Sequence, residues 1–278
     1  KGIHLHVVAE VCKTDTSTQI FNKFFYKDKD KFRWSIKPVY LCYLFEIGIA
    51  DKIIYIDWNI IFFNDYSFLF DDLDSKDILL TPQWMAMSPF ELNDVEEITN
   101  FRCLFSTGLY NASFVGANKK GSYLLEWWAS VCINSNNIYT RNYNQNGLHI
   151  DQIHLYLLPL QSDKVGIVYH RGCNVTDWNR IECKRVLVAD KVLINAQYPI
   201  VFISFTNLLI HSILNNKDFL LKSYMEEYNM IYYNANGNEL PFYKLSKKQR
   251  EKKLGFTRFD SIRNKIRLVT RLKRFIAG

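Results

Sequence analysis

Short apolar runs alternate with longer segments of helical periodicity along most of the chain. Runs rich in β-branched and aromatic residues predict strands at 2–11, 52–56, 60–63, 78–81, 108–116, 165–169 and 200–205. Apolar residues at helical spacing predict helices at 36–47, 121–133, 151–158 and 218–231. Strands that alternate with helices favour an α/β fold, with a mixed, mostly parallel sheet flanked by helices.

The composition is that of a folded protein. The 278 residues are 48% hydrophobic and 23% charged, which excludes a disordered chain and allows a sizeable core. No apolar run reaches the roughly 18 residues of a membrane-spanning helix. The six cysteines have no CxxC spacing and no histidines beside them, which disfavours a zinc site and favours a reducing compartment.

Positive charge is concentrated at the C-terminal end. Residues 241–278 contain 13 Lys and Arg against Glu251 and Asp260, a net charge of +11 within a chain of +7. The remaining 240 residues therefore carry a charge of −4. This shift in composition, near Pro241, predicts a main domain over residues 1–240 and a separate basic segment over residues 241–278.

The basic segment also has an apolar stripe at helical spacing. The stripe consists of Ile262, Ile266, Val269, Leu272, Phe275 and Ile276. Basic residues fill most of the remaining positions, so the pattern predicts an amphipathic cationic helix, and we expect residues 245–278 to contact an anionic membrane surface. The alternative is a helix that packs on the acidic body of the protein. No nucleic-acid partner is expected, because the segment has no RNA-binding motif.

Residues 51–59 (DKIIYIDWN) contain the first candidate site residues. Asp57 follows a predicted buried strand, the position at which α/β sheets place their ligands. The side-chain oxygens of Asp57 and Asn59, two residues apart, can reach one hard cation together with the oxygens of a diphosphate. The alternative is an Asx turn that joins two strands.

Several stretches, in the same order, resemble bacterial glycosyltransferases related to family eight, which have the GT-A (Rossmann-like) fold. The stretches are 35–38 (SIKP), 51–59 (DKIIYIDWN), 110–116 (YNASFVG), 127–128 (WW), 149–152 (HIDQ) and 172–179 (GCNVTDWN). Together they cover roughly residues 1 to 210. The resemblance implies a metal-dependent, hexosyltransferase-like enzyme that moves a sugar from a nucleotide diphosphate donor to an acceptor hydroxyl.

The resemblance also implies roles for individual residues. Asp57 and Asn59 would hold Mn²⁺ or Mg²⁺ on the donor diphosphate. Asp151 and Gln152 would be the catalytic residues at the anomeric centre, with either a retaining or an inverting outcome. The substrate-binding residues would be Lys37, Asn111, Asn174, Trp178 and Asn179.

This sequence departs from the family pattern at three places. Asn59 replaces a second aspartate, and Ser204 stands where relatives often have a histidine. Either Ser204 or His211 could supply a third metal ligand. The third departure is that the family's first strand and helix have no counterpart before Lys1, so we expect either a truncated chain or a fold that starts differently. The departures at Asn59 and Ser204 favour an alternative function, a non-catalytic glycosyltransferase-like module that binds a glycan or a partner protein.

The resemblance finally implies a cellular setting. The expected product is a bacterial surface glycan, such as lipopolysaccharide, capsule or glycoprotein. The acceptor would be a glycan or a lipid-linked molecule. We expect a cytoplasmic protein that is peripheral at the inner face of the membrane.

Overall fold

The computed structural model of the protein describes residues 6–11, 15–24, 26–27, 29–87, 98, 101, 104–105, 107–139 and 150–254. These residues form a mixed α/β protein. The strands are β1 (Lys52–Ile56), β2 (Ile60–Phe62), β3 (Ile78–Pro82), β4 (Tyr110–Asn118), β5 (Val165–Ile167), β6 (Arg185–Val188), β7 (Lys191–Ile194), β8 (Tyr198–Pro199) and β9 (Phe202–Ser204). The α-helices are Val8–Val11, Asp15–Phe24, Lys29–Glu46, Ser67–Ser75, Ser122–Tyr139, Ile150–Ile153, Leu158–Gln161, Asn207–Leu214, Lys222–Asn236 and Lys247–Lys253.

The central sheet is mixed, as predicted, but the prediction that its strands are mostly parallel was wrong. Its strand order is β1-β4-β3-β5; β4 is antiparallel to both of its neighbours, and the β3–β5 pair is parallel. Gln83, which follows β3, donates its backbone N–H to the carbonyl of Leu109, which precedes β4, at 2.9 Å. The connection between these strands therefore starts and ends at one edge of the sheet, and β4 has to run back against β3.

Helices cover both faces of this sheet. Lys29–Glu46 and Ser122–Tyr139 pack together on one face, where Leu41, Phe45 and Trp128 are buried. Ser67–Ser75 covers the other face with the side chains of Leu69 and Leu73. This double layer buries the sheet on both sides, which explains why its strands read as nearly continuous apolar runs.

A second sheet begins directly after β1. The turn Asp57-Trp58-Asn59 connects β1 to β2, and β2 pairs antiparallel with β9, so that Ile60 lies opposite Ser204. The carbonyl of Asn59 accepts a backbone hydrogen bond from Phe205 at 2.8 Å. The predicted site turn therefore lies where the chain passes from the central sheet to the second sheet.

Most of the predicted elements are confirmed within one to several residues at their ends. The main error is the strand predicted at 2–11, because Val8–Val11 is helical and residues 2–5 lie outside the described residues. The side chain of Val11 packs with Ile20, Val39 and Ile133, which belong to helices. β-Branched residues have only a weak preference for strands. The packing of Val11 against other helices outweighs that preference here.

The hairpin of β6 and β7 was not predicted. Its two turn residues, Ala189 and Asp190, both have positive φ, at 44° and 63°. Two positive φ values in a two-residue loop are typical of the hairpin turns that Asn-Gly or Asp-Gly usually signal. The Ala-Asp sequence carries no such signal.

The first part of the predicted basic segment packs against the body. Leu240 and Phe242 are buried in a core cluster with Leu209 and Ile213. The helix Lys247–Lys253 begins at a capping box formed by Ser246. The apolar stripe at 262–276 lies outside the described residues. Among the helices that the structure describes, none has the length and apolarity needed to cross a membrane.

Candidate functional site

A buried lysine lies at the centre of the candidate site. Lys37 projects from the helix Lys29–Glu46, and its side chain is 5% exposed. Its Nζ lies 2.9 Å from Oδ2 of Asp151 and 3.6 Å from Oδ1 of Asp57, and it donates to the carbonyl of Ala112 at 3.2 Å. A buried ammonium needs this many partners, because an unpaired charge in the interior costs several kcal/mol.

Asp57 is the more accessible of the two carboxylates, with a side chain that is 27% exposed. The Tyr55 hydroxyl donates to Oδ1 at 2.6 Å, and the Ser113 hydroxyl donates to Oδ2 at 2.7 Å. Burial raises the pKa of Asp57, but the charges of Lys37 and Arg33 and these two hydrogen bonds outweigh it and hold the pKa below its usual value. Asp57 is therefore ionised at neutral pH.

Asp151 is almost completely buried, with a side chain that is 2% exposed. It lies in the short helix Ile150–Ile153, and its backbone carbonyl accepts the indole N–H of Trp128 at 2.7 Å. Its Oδ2 faces Lys37, whereas its Oδ1 is buried and has no hydrogen-bond partner among the described residues. An unsatisfied buried carboxylate oxygen is energetically costly, so this atom is unusual for a protein interior.

The predicted amide residues form one connected network. Asn111 donates to Oδ1 of Asn174 at 2.7 Å, and Asn179 donates to the carbonyl of Asn174 at 2.7 Å. Gln152 accepts from the backbone N–H of Ala112 at 3.2 Å and donates to the carbonyl of Thr107 at 3.1 Å. The network thus joins β4 to the loop 172–179 and to the residues beside Asp151.

Close backbone packing fixes the loop 172–179. Asn174 has a positive φ of 65° and donates its side-chain N–H to the carbonyl of Pro82 at 3.1 Å. A Cβ on Gly172 would lie 1.8 Å from the carbonyl oxygen of Pro199, so only glycine allows this approach. The indole N–H of Trp178 donates to the carbonyl of Gln83 at 3.0 Å.

Asn59 lies at the other side of the turn. Its Nδ2 is 3.5 Å from Oγ of Ser204, a long contact. His211, the other candidate third ligand, lies on the helix Asn207–Leu214, where its Nε2 is 3.0 Å from Nδ2 of Asn215. Trp58, between Asp57 and Asn59, is 72% exposed and lies free to contact a ligand.

The described donors do not by themselves fit a divalent cation. Both oxygens of Asp57 already accept hydrogen bonds, and the Lys37 ammonium lies close to one of them. Within the described ranges, no group of three or more His, Cys, Asp or Glu residues could hold a metal ion. The Mn²⁺ or Mg²⁺ requirement therefore stays a prediction.

A pocket opens beside these groups. Its volume is about 210 Å³, and Lys37 and Tyr55 form part of its wall together with Phe32, Arg33 and Tyr40. Because Lys37 belongs to both the carboxylate cluster and the pocket wall, a small polar molecule in this pocket would lie next to the buried charges.

Tyr55 and Ser113 are site residues that the sequence analysis missed. Each lies two positions from a predicted site residue on the same strand, Tyr55 before Asp57 and Ser113 after Asn111. Alternation along a strand places such pairs on the same side, and that was the available signal. The pairing of β1 with β4, which brings Ser113 opposite Asp57, could not be inferred from the spacing.

Comparisons with known proteins identify no family. No protein-family model matches the chain, and no solved structure matches it significantly. Among curated proteins, the chain is similar to the uncharacterized protein YfnF of Bacillus subtilis (strain 168), with 23% identity over 190 residues. The similarity covers 67% of this chain, which spans 60% of the length of that relative.

The buried lysine generates a prediction about stability. Lys37→Met leaves Asp57 and Asp151 without their shared cation, and we expect a loss of about 3–5 kcal/mol in the free energy of unfolding. The matched control is Lys222→Met, since Lys222 forms an exposed ion pair with Glu226, four residues further along one helix. That control should lose less than about 1 kcal/mol.

Urea denaturation at neutral pH measures both variants against the unsubstituted protein. Equal losses for Lys37→Met and Lys222→Met would contradict the buried arrangement of Lys37.

Proposed function

We propose that this protein is a glycosyltransferase that moves a sugar from a nucleotide diphosphate donor to an acceptor hydroxyl in bacterial surface-glycan synthesis. One observation carries the proposal: Lys37, Asp57 and Asp151 converge beside a pocket, and Asp151 keeps one buried oxygen without a partner. The resemblance of six ordered stretches to glycosyltransferases related to family eight supports it, and the three residues lie in three of those stretches.

Asp151 is the proposed catalytic residue. Transfer builds positive charge on the anomeric carbon as the nucleotide diphosphate departs, and a buried carboxylate stabilises that charge strongly because little water screens it. In a retaining reaction Asp151 would face the cationic sugar, and in an inverting one it would take the proton of the acceptor hydroxyl. Lys37 holds Asp151 in place through its 2.9 Å contact.

Asp57 is proposed to bind the donor. It is ionised and partly exposed, and it lies at the end of β1, where a ligand hydroxyl can donate to it. Arg33 lines the pocket together with Lys37 and Tyr55 and also acts on Asp57 electrostatically, so its positive charge would attract a diphosphate bound in that pocket. A divalent cation, if the donor brings one, would add to this positive charge.

The structure offers one observation in favour of the alternative, a module that binds a glycan or a partner without catalysis. The side chains of Asn111, Gln152, Asn174 and Asn179 all make hydrogen bonds within the protein. Amides that hydrogen-bond to other protein groups stabilise the structure of the site, and this role requires no catalysis. Binding of a glycan by a protein that releases no nucleotide would support this alternative.

The proposed setting is the inner face of the membrane, with residues 245–278 as the contact and a glycan or lipid-linked acceptor. The described part of this segment includes the helix Lys247–Lys253, in which Lys248, Lys252 and Lys253 are exposed or partly exposed. Each basic residue near an anionic surface contributes about 1 kcal/mol. The segment would therefore bring the site to an acceptor carried in the membrane.

The catalytic proposal predicts that a substitution of Asp151 affects kcat much more than it affects donor binding. Asp151→Asn should lower kcat at least about 100-fold, because it removes a negative charge that acts mainly in the transition state. Affinity for the nucleotide diphosphate should remain close to normal. The measurement is nucleotide diphosphate release across a donor panel, with and without Mn²⁺, and Glu226→Gln on an exposed helix face is the control.

A wild-type kcat with a raised KM in Asp151→Asn would make Asp151 a binding residue. No release by the unsubstituted protein with any donor, in either metal condition, would contradict the enzyme proposal.

The membrane proposal predicts salt-sensitive binding to anionic lipid. The full chain should co-sediment with anionic liposomes at low salt and much less at high salt, since charge acts only over a Debye length of about 8 Å at physiological salt. Removal of residues 255–278 should abolish most of this binding while leaving transfer to a small soluble acceptor intact. Equal, negligible binding to neutral and anionic liposomes would defeat the proposal.

A further inference from the structure

The hydroxyl of Ser113 makes one of the shortest side-chain contacts to Asp57. It donates to Oδ2 at 2.7 Å, while the backbone N–H of Asp57 donates to the carbonyl of Ser113 at 2.9 Å. Ser113 is therefore bound to Asp57 through both its side chain and its backbone. This double contact fixes the hydroxyl opposite one particular oxygen of the carboxylate.

Ser113 also forms a hydrogen bond to the amide network of Asn111 and Asn174. Its backbone N–H donates to Oδ1 of Asn111 at 2.9 Å, and Asn111 donates through Nδ2 to Oδ1 of Asn174 at 2.7 Å. Asn111 uses its oxygen and its nitrogen for two different partners, which fixes the orientation of its amide. A continuous chain of hydrogen bonds thus runs from the loop 172–179 through Asn111 and Ser113 to Asp57.

The second hydroxyl, that of Tyr55, is equally restrained. Its phenol donates to Oδ1 of Asp57 at 2.6 Å. The ring packs against the main core cluster, and the Lys37 ammonium lies 5.3 Å from its centroid. Tyr55 therefore restrains the carboxylate from the side opposite to Ser113.

These contacts leave Asp57 little freedom. A carboxylate has about four lone-pair sites. Tyr55 and Lys37 share Oδ1, and Ser113 occupies one site on Oδ2. Oδ2 therefore keeps an acceptor site beyond the hydrogen bond from Ser113, on a side chain that is 27% exposed as a whole.

We infer that Ser113 is a positioning residue for Asp57: its hydroxyl sets the plane of the carboxylate so that one oxygen lone pair is directed at the donor. The inference rests on the proposed function for the reaction, but the contact itself can be tested without it. Asn111 and Asn174 support Ser113 in this arrangement. Loss of the hydroxyl leaves Asp57 free to rotate, and a misdirected carboxylate weakens its contact with the donor.

The kinetic test compares three variants of the full chain. Ser113→Ala should raise the donor KM and so lower kcat/KM about 10-fold or more, the equivalent of one hydrogen bond to a charged group. Ser113→Thr keeps the hydroxyl on a strand and should restore most of kcat/KM. Ser130→Ala is the control, because the Ser130 hydroxyl donates to the carbonyl of Trp127 within one helix.

A purely structural role for Ser113 would give a different pattern. It would lower stability in Ser113→Ala without changing kcat/KM, or it would leave Ser113→Thr with the same low kcat/KM as Ser113→Ala. Either result overturns the inference.

A second measurement separates this inference from the proposed function. Urea denaturation of Ser113→Ala, Asp57→Asn and the double variant forms a cycle that needs no turnover. We expect the two effects on the unfolding equilibrium constant to be coupled by at least about fivefold. Coupled effects of the two substitutions, in a protein that transfers no sugar when unsubstituted, would contradict the proposed function but would support the contact between Ser113 and Asp57. Independent effects in the cycle would show that Ser113 does not hold Asp57.

Discussion

The ammonium of Lys37 is the interaction on which the rest of the site depends. It is almost completely buried, and its partners come from three separate parts of the chain: Asp57 after β1, Ala112 in β4 and Asp151 in a short helix. Two carboxylates this close would repel each other strongly in a medium of low dielectric. The shared cation removes that repulsion, so the chain can keep two aspartates beside one pocket.

The polar side chains around this cluster restrain the positions of the site residues. The amides of Asn111, Gln152 and Asn174 each hydrogen-bond to another segment, and together they join β4, β3 and the loop 172–179. Hydrogen bonds of this kind favour one arrangement of the amides, because a rearrangement would leave buried donors or acceptors without their partners. The positions of Asp57 and Asp151 are therefore set by many contacts rather than by their own side chains alone. This rigidity is what a site needs to distinguish a transition state from a bound substrate.

Local patterns predicted the elements that lie next to the site. The strand before Asp57, the helix that carries Lys37 and the long helix with Trp128 all have apolar spacing that their burial explains. The direction of β4 was not predictable from periodicity, because it depends on where the connection from Pro82 to Tyr110 returns to the sheet. The helix at Val8–Val11 was missed because a short apolar run serves a strand or a helix equally well.

The candidate site was predicted as a set of residues but not as an arrangement. Resemblance to known motifs identified Lys37, Asp57 and Asp151, yet nothing in their spacing indicated that one lysine joins both aspartates. Tyr55 and Ser113 were missed because hydroxyl residues on strands are common and only the register of β1 against β4 gives them a role. Long-range pairing therefore decides which polar residues of a strand become part of a site.

The most direct test of the account is donor binding at Asp57, measured by calorimetry with a panel of nucleotide diphosphate sugars, with and without Mn²⁺. We predict that at least one sugar nucleotide binds the unsubstituted protein and that Asp57→Asn weakens its binding at least about 10-fold, about 1.4 kcal/mol. Asp74→Asn, which removes an exposed carboxylate paired with Lys52, should bind as the unsubstituted protein does. Absence of binding by every donor, or equal affinities for the protein and Asp57→Asn, would contradict the account.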